Sequence, residues 1–382
     1  MKEALPFRLN AVGDISFEGP LADAPSLAPF EDIASDLTRA DLVVGNLECV
    51  LTDSPSAGIP GKCVVHGGTG WAKVLKQAGI DLLSLANNHV MDYGAGGLLS
   101  TTGALRQAGV RYVGAGANRH EACSPLFLNI AGRRIAVLAR SAVIVGSPCY
   151  AEEKSPGVAF LEPRDTAAAI QSARAQADIV ILLIHWGIEE YSYPSSAQRQ
   201  LARQLADAGA DVILGHHPHV VQGIERCGHA VIAYSLGNFA FNEFGWTYTG
   251  PDGATSPQEV RLSPDNLKGL IATLEWSGAA QPTVSKTYTR IAMNGRVSAD
   301  RDPARVAEMN SLSGRFGQRS YRAWWHWYAL RREWSLRLQR EISFRNAVTN
   351  LHRLRFRHFK SLLGSVRRSA RLMMGKSTNP YD

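Results

Sequence analysis

Short apolar runs recur along this chain, separated by helix-like segments, and one after another they end in a residue that can ligate a metal or move a proton. Phe7 to Val12 reads as a strand running into Gly13-Asp14, and Asp41 to Val44 as one running into Gly45-Asn46-Leu47-Glu48. Asp81 to Leu85 leads into Asn87-Asn88-His89, Ile179 to Ile184 into His185, and Val212 to Leu214 into Gly215-His216-His217-Pro218-His219. Helical periodicity marks the intervals Pro29 to Leu37, Trp71 to Ala78, Leu98 to Ala108, Pro163 to Ala175 and Ser196 to Ala208. Alternation of this kind predicts a layered α/β domain. In open α/β sheets ligands bind beyond the carboxyl ends of the strands, so strand ends far apart in sequence can meet in one crevice.

Elsewhere the pattern shifts. Leu126 to Ile130 and Arg134 to Leu138 flank Ala131-Gly132-Arg133, a hairpin signal. Ala230 to Ser235 reads as a strand leading to Leu236-Gly237-Asn238-Phe239, and Leu270 to Glu275 as another. Asn242 to Asn266 is rich in Gly, Pro, Thr and Ser and is expected to be a long surface loop, either a lid or a passive insertion.

Taken singly, the polar strand ends have plain structural readings. Asp14 could cap a turn, Glu48 could form a salt bridge at a rim, and His185 could be a satisfied core histidine. The run from His216 to His219 is the sharpest local signal, with two imidazoles held two residues apart by Pro218. Together the groups offer oxygen and nitrogen ligands without a Cys pair, which points to a hydrolytic rather than a structural metal site. Such a site lowers the pKa of water and polarises a phosphoryl or carbonyl oxygen. Imidazole and carboxylate suit Mn, Fe, Zn or Ni without distinguishing among them.

The order of the motifs resembles the CapA-type family of capsule or poly-γ-glutamate synthesis proteins. The resemblance runs over residues 7–295 and rests on Gly13-Asp14, Gly45 to Glu48, Asn87 to Gly94, His185 to Gly187, His217 to Gln222 and Tyr234 to Phe239. That family is similar to the calcineurin-like metallophosphoesterases. The resemblance implies a four-layer α/β/β/α sandwich holding one or two divalent metal ions. It implies Asp14, Asn88, His185, His217 and His219 as metal ligands, Glu48 as candidate bridging carboxylate, and His89 as general acid. Asn46, Asn87, His216 and Asn238 are expected to contact substrate. The first motif, Asp14-Ile15-Ser16, lacks the histidine of Asp-x-His, and Asn46 stands where the second motif carries aspartate. Activity therefore does not follow from the fold alone. Two functions stay open: a hydrolase acting on a phosphoester or related bond of an anionic polymer or other phosphorylated substrate, and a non-catalytic assembly factor of a polymer synthesis or export complex.

Charge divides the 382-residue chain. From Arg315 to Asp382 sixteen Lys and Arg face three Asp and Glu, a net of +13, so the remainder carries −6 of the overall +7. Trp327, Leu330, Trp334, Leu338 and Ile342 fall at helical spacing, as do Phe344, Val348, Leu351 and Leu354. Residues 300–376 are thus expected to form a basic helical extension separate from the domain 7–295. It would dock on the body or on a partner such as a synthase, attach to an anionic membrane surface, or bind an anionic polymer. No specific nucleic acid is expected, since no nucleic-acid-binding motif occurs. The five cysteines are odd in number and form no C-x-x-C pair. With strand Phe7 to Val12 starting directly after Met1 to Pro6, they predict reduced thiols and a cytoplasmic location, peripheral to the membrane if the extension attaches there.

Overall fold

The computed structural model describes residues 5–341 apart from 23, 56–57, 60, 144–148, 250–252 and 279–280, with the side chains of 337–341 also undescribed. Two sheets carry the architecture. In the first, strands follow the order Val297–Ala299, Thr283–Ile291, Lys268–Trp276, Phe7–Ile15, Leu42–Leu47, Leu82–Ser84 and Arg111–Val113. Phe7–Ile15 is parallel to Leu42–Leu47 and antiparallel to Lys268–Trp276, and its last residues also pair with Asn238–Ala240. The second sheet runs Ile224–Cys227, Ala230–Ala233, Val212–His216, Ile179–His185, Arg133–Ser141 and Leu126–Ile130.

Period-two side-chain alternation explains how the sheets stack. Leu9, Ala11, Leu42 and Val44 of the first sheet share one core with Val137, Ile181, Leu183 and Leu214 of the second. The opposite face of the first sheet, including Val43 and Leu83, packs with Trp71 and Leu75 of helix Trp71–Gln77 and with Leu98 and Leu105 of helix Gly94–Ala108. The outer face of the second, including Leu138, Leu182 and Ile213, packs with Ile170 of helix Pro163–Arg174 and Leu205 of helix Ser196–Asp207. The sheets thus face each other, and helices cover their outer sides.

Two glycines let backbones approach closely near the ends of the strands. A Cβ on Gly13 would stand 2.0 Å from the Gly237 carbonyl oxygen, and one on Gly215 would stand 1.9 Å from that of Tyr234. The Gly-Asp and Gly-His pairs therefore owe their glycines to close backbone approach. Gly215→Ala is expected to cost about 2–3 kcal/mol through this overlap. A urea midpoint for the variant equal to that of the parent would contradict this.

Three expectations change. Pro29 to Leu37 is a 3-10 turn, Ala28–Phe30, followed by the short helix Ala34–Leu37. Buried Asn10 on the first strand donates Nδ2 to the carbonyls of Asp36 (2.9 Å) and Leu37 (3.4 Å), which ties the C-terminal end of this short helix to the sheet. Within Asn242 to Asn266 the structure contains a two-stranded antiparallel ribbon, Phe244–Thr249 with Thr255–Val260. Phe244, Trp246 and Tyr248 turn to its covered side while Gly245, Thr247 and Thr249 are exposed, a period-two signal hidden among turn formers.

The third change concerns the extension. Helices Pro303–Ser311 and Tyr321–Glu341 lie against the body. Met309 is buried between the sheets, and Phe316, Tyr321 and Trp325 are buried on the outer face of the second. Arg199 pairs with Glu225, and its guanidinium lies over the rings of Phe316 and Tyr321 at 4.8 and 4.2 Å. The stripe Phe344 to Leu354 and the rest of 342–376 lie outside the described residues. Among the described residues no helix is long and apolar enough to cross a membrane. All five cysteines are free thiols.

Candidate metal centre

The strand ends converge. Asp14, Glu48 and His185 are at most 1% exposed, and each offers a ligand atom within 4.8 Å of the other two. Glu48, His217 and His219 form a second such group. Glu48 is common to both. Its Oε1 is buried and accepts no hydrogen bond, yet lies 3.4 Å from His185 Nε2 and 3.6 Å from His219 Nε2. His217 Nδ1 is likewise buried without a hydrogen-bond partner. Asn88 joins the group through its Oδ1, 2.8 Å from His185 Nε2.

The electrostatics of the cluster suit a cation. Burial, then the neighbouring charge of Asp14, pushes the Glu48 carboxyl well above the ordinary range. Burial, then the other histidines, pushes His185 well below the usual imidazole value, and burial takes His217 down to about 4. Imidazoles held in the neutral form around crowded carboxyls make a donor set that suits a divalent ion. The orphaned Glu48 Oε1 and His217 Nδ1 fit this directly.

Local geometry shows how the centre is held. His217 and His219 adopt positive φ, 94° and 56°, which non-glycine residues rarely do. The His217 amide donates to Asp14 Oδ2 at 3.1 Å, so the first strand clamps the strained loop.

The four residues expected at the substrate hold other groups in place. Asn46 donates to Asp14 Oδ1 (2.9 Å) and sits 3.3 Å from His185 Nδ1, fixing that ring. Asn87 donates to Asn46 Oδ1 (3.0 Å) and the Leu47 carbonyl (2.7 Å) and accepts from the amides of His89 and Val90, so its hydrogen-bonding groups are spent. Asn238 Oδ1 accepts from His219 Nδ1 at 2.9 Å, leaving Nε2 facing Glu48. His216 turns toward the Val12 carbonyl, 3.2 Å from Nε2, joining the two sheets. Such partners fix tautomer and ring orientation at metal sites.

His89 is partly open, with an 18% exposed side chain. Its Nδ1 lies 2.7 Å from Asp92 Oδ2, and Asp92 also bonds the buried Lys62 ammonium and the Val65 amide. Lys62 reaches the Asn88 carbonyl as well. The roles of Lys62 and Asp92 are not evident from sequence. His-x-x-Asp at 89–92 is a usable signal in hindsight, whereas Lys62 lies in a loop with no local pattern. Glu189, an exposed residue after His185, also went unread. Its charge raises the values of both Glu48 and His217.

This two-sheet arrangement with a cluster of possible ligands at the strand ends defines a layered α/β protein with a candidate metal site. The bacterial capsule synthesis protein PGA_cap family model matches residues 8–243. The chain therefore belongs to that family. It is 34% identical over 263 residues to the capsule biosynthesis protein CapA of Bacillus anthracis, covering 67% of this chain and 63% of the relative. It is 39% identical over 223 residues to the PGA biosynthesis protein CapA of Bacillus subtilis, covering 58% of each. The matches thus span less than two-thirds of either relative. The NAD nucleotidase of Haemophilus influenzae aligns over 81% of this chain and 56% of its own, with a TM-score of 0.45 and 14% identity.

Proposed function

We propose that the centre holds one or two divalent metal ions and hydrolyses a phosphoester during synthesis of an anionic polymer of the poly-γ-glutamate type. The observation carrying this reading is the pair of overlapping ligand groups that share Glu48 and its buried, unpartnered oxygen. Asp14, Glu48, Asn88, His185, His217 and His219 would hold the metal, and Mn, Fe, Zn or Ni suits their oxygen and nitrogen donors. Bound there, a divalent ion supplies Lewis acidity and a lowered water pKa. His89 has the part of general acid: Asp92 anchors its Nδ1, which leaves Nε2 to pass a proton to the leaving oxygen. Lys62 offsets the Asp92 charge and fixes the Asn88 backbone, which keeps acid and ligand in register.

A non-catalytic part in polymer assembly is the second reading. It is favoured by Ser16, which stands at the position where the resemblance calls for a histidine. Metal analysis and a phosphoester screen on the purified full chain separate the two. The catalytic reading expects near-stoichiometric metal, a lower content in His217→Ala, and metal-dependent turnover of at least one phosphomonoester or diester. Metal without turnover on any ester moves the assignment to assembly. A protein that takes up no metal, with folding unchanged by His217→Ala, sinks the metal centre itself.

A further inference from the structure

We propose that the outward face of helix Tyr321–Glu341 is a docking surface for an anionic lipid bilayer. The inference is independent of any chemistry at the metal centre. Two faces of this helix differ sharply. On the inner one, Tyr321 donates its hydroxyl to the Pro194 carbonyl (2.7 Å), Trp325 donates Nε1 to Tyr193 (3.3 Å), and Arg332 donates Nε to Glu190 (2.9 Å). These positions fall one or two turns apart along one stripe, so a single side of the helix is fixed to the body.

Among the described residues, the opposite stripe has no such cover. Trp327 and Trp334 are 57% and 41% exposed, and Arg331 between them is exposed with its guanidinium 5.5 Å from the Trp327 ring centroid. Arg319 and Arg322 are exposed nearby. Indole rings flanked by guanidinium groups suit the headgroup level of a bilayer, where the ring meets the acyl boundary and the cation meets phosphate. A soluble polyanion would use the charge but leave the indoles in water.

The charge distribution selects the occupant. Residues 342–382 add nine Lys and Arg against one Asp, interspersed with Phe344, Val348, Leu351 and Leu354. Clusters of cations next to an amphipathic helix are attracted to anionic lipid. The net −6 of residues 1–314 is repelled by the same surface, which confines attachment to this end of the molecule. Because the inner face is bonded to Glu190, Tyr193 and Pro194, attachment would hold the body in one orientation. Those residues lie in the loop that follows His185, a candidate ligand of the metal centre.

Co-sedimentation of the full chain with phosphatidylglycerol–phosphatidylcholine vesicles tests this. The parent should pellet with these vesicles, release as salt rises, and ignore vesicles of phosphatidylcholine alone. Trp327→Ser combined with Trp334→Ser should lower partitioning about tenfold or more while the urea midpoint stays unchanged. Arg322→Glu with Arg331→Glu should weaken binding and flatten its salt dependence. Partitioning of the double Trp variant equal to the parent overturns the proposal, as does equal binding to neutral vesicles. Binding of soluble polyglutamate without any vesicle binding also overturns it and makes this face a polymer site.

Discussion

Glu48→Gln is expected to abolish metal loading while leaving the metal-free fold at least as stable as the parent. The substitution keeps the shape of the side chain and removes its charge. Glu48 is the residue common to both ligand groups, so its loss weakens every ion the centre can hold. Outer-sphere partners alone are worth about 10–100-fold in affinity, so removing a shared ligand should exceed about a hundredfold. Stability moves the other way in the metal-free protein. Burial and the Asp14 charge make ionised Glu48 unfavourable there, holding its carboxyl well above the ordinary range. A neutral amide relieves that repulsion. Metal analysis by mass spectrometry and urea unfolding after chelation read the two effects separately. Retention of full metal content would show that Glu48 is not the shared ligand. A large loss of metal-free stability would show that it serves packing instead.

Trp325→Ala should cost about 3–5 kcal/mol, the range for removing a buried tryptophan. Trp325 is 3% exposed within the core on the outer face of the second sheet and hydrogen-bonds Tyr193. Trp327→Ala, two residues away but 57% exposed, should stay within about 0.5 kcal/mol. Urea denaturation of the two variants measures the contrast. Small and equal effects would mean that the helix only rests on the body. The expected result also bears on where the chain can be cut. Ending it near residue 300 would strip Met309, Phe316, Tyr321 and Trp325 from two cores, so the shortened protein should unfold or aggregate. An independent body ending at 295, as charge division alone suggests, would predict the opposite.

Helical spacing and composition mislead at this end for a definable reason. Trp327 and Trp334 fall at the period of a buried stripe, yet they face outward. Tyr321, Trp325 and Tyr328, which pack against the body, are equally periodic. A helix rich in aromatics on two sides gives no signal for which side is covered. That choice depends on the position of the 188–195 loop, which follows strand Ile179–His185 and lies more than a hundred residues before the helix. The ribbon Phe244–Thr249 shows the converse. Its alternation is present in Phe244, Trp246 and Tyr248 but too short to stand out among glycine, threonine and proline.

The polar groups that could gather were legible in the sequence, because each ends an apolar run and strand ends point to one edge of a sheet. Asp14, Glu48, Asn88, His185, His217 and His219 were all readable from this. So was His89, beside Asn88. What each polar group does was decided by the tertiary structure. Asn46 and Asn238 orient histidines, Asn87 closes a loop, His216 joins the sheets, and the Lys62–Asp92 pair reaches His89 from a separate loop. An amide or imidazole carries the same local signal whether it faces a ligand or a backbone carbonyl. Only packing fixes the few ångströms that separate those roles, because that distance is set by how the two sheets come together, as where His216 reaches the Val12 carbonyl.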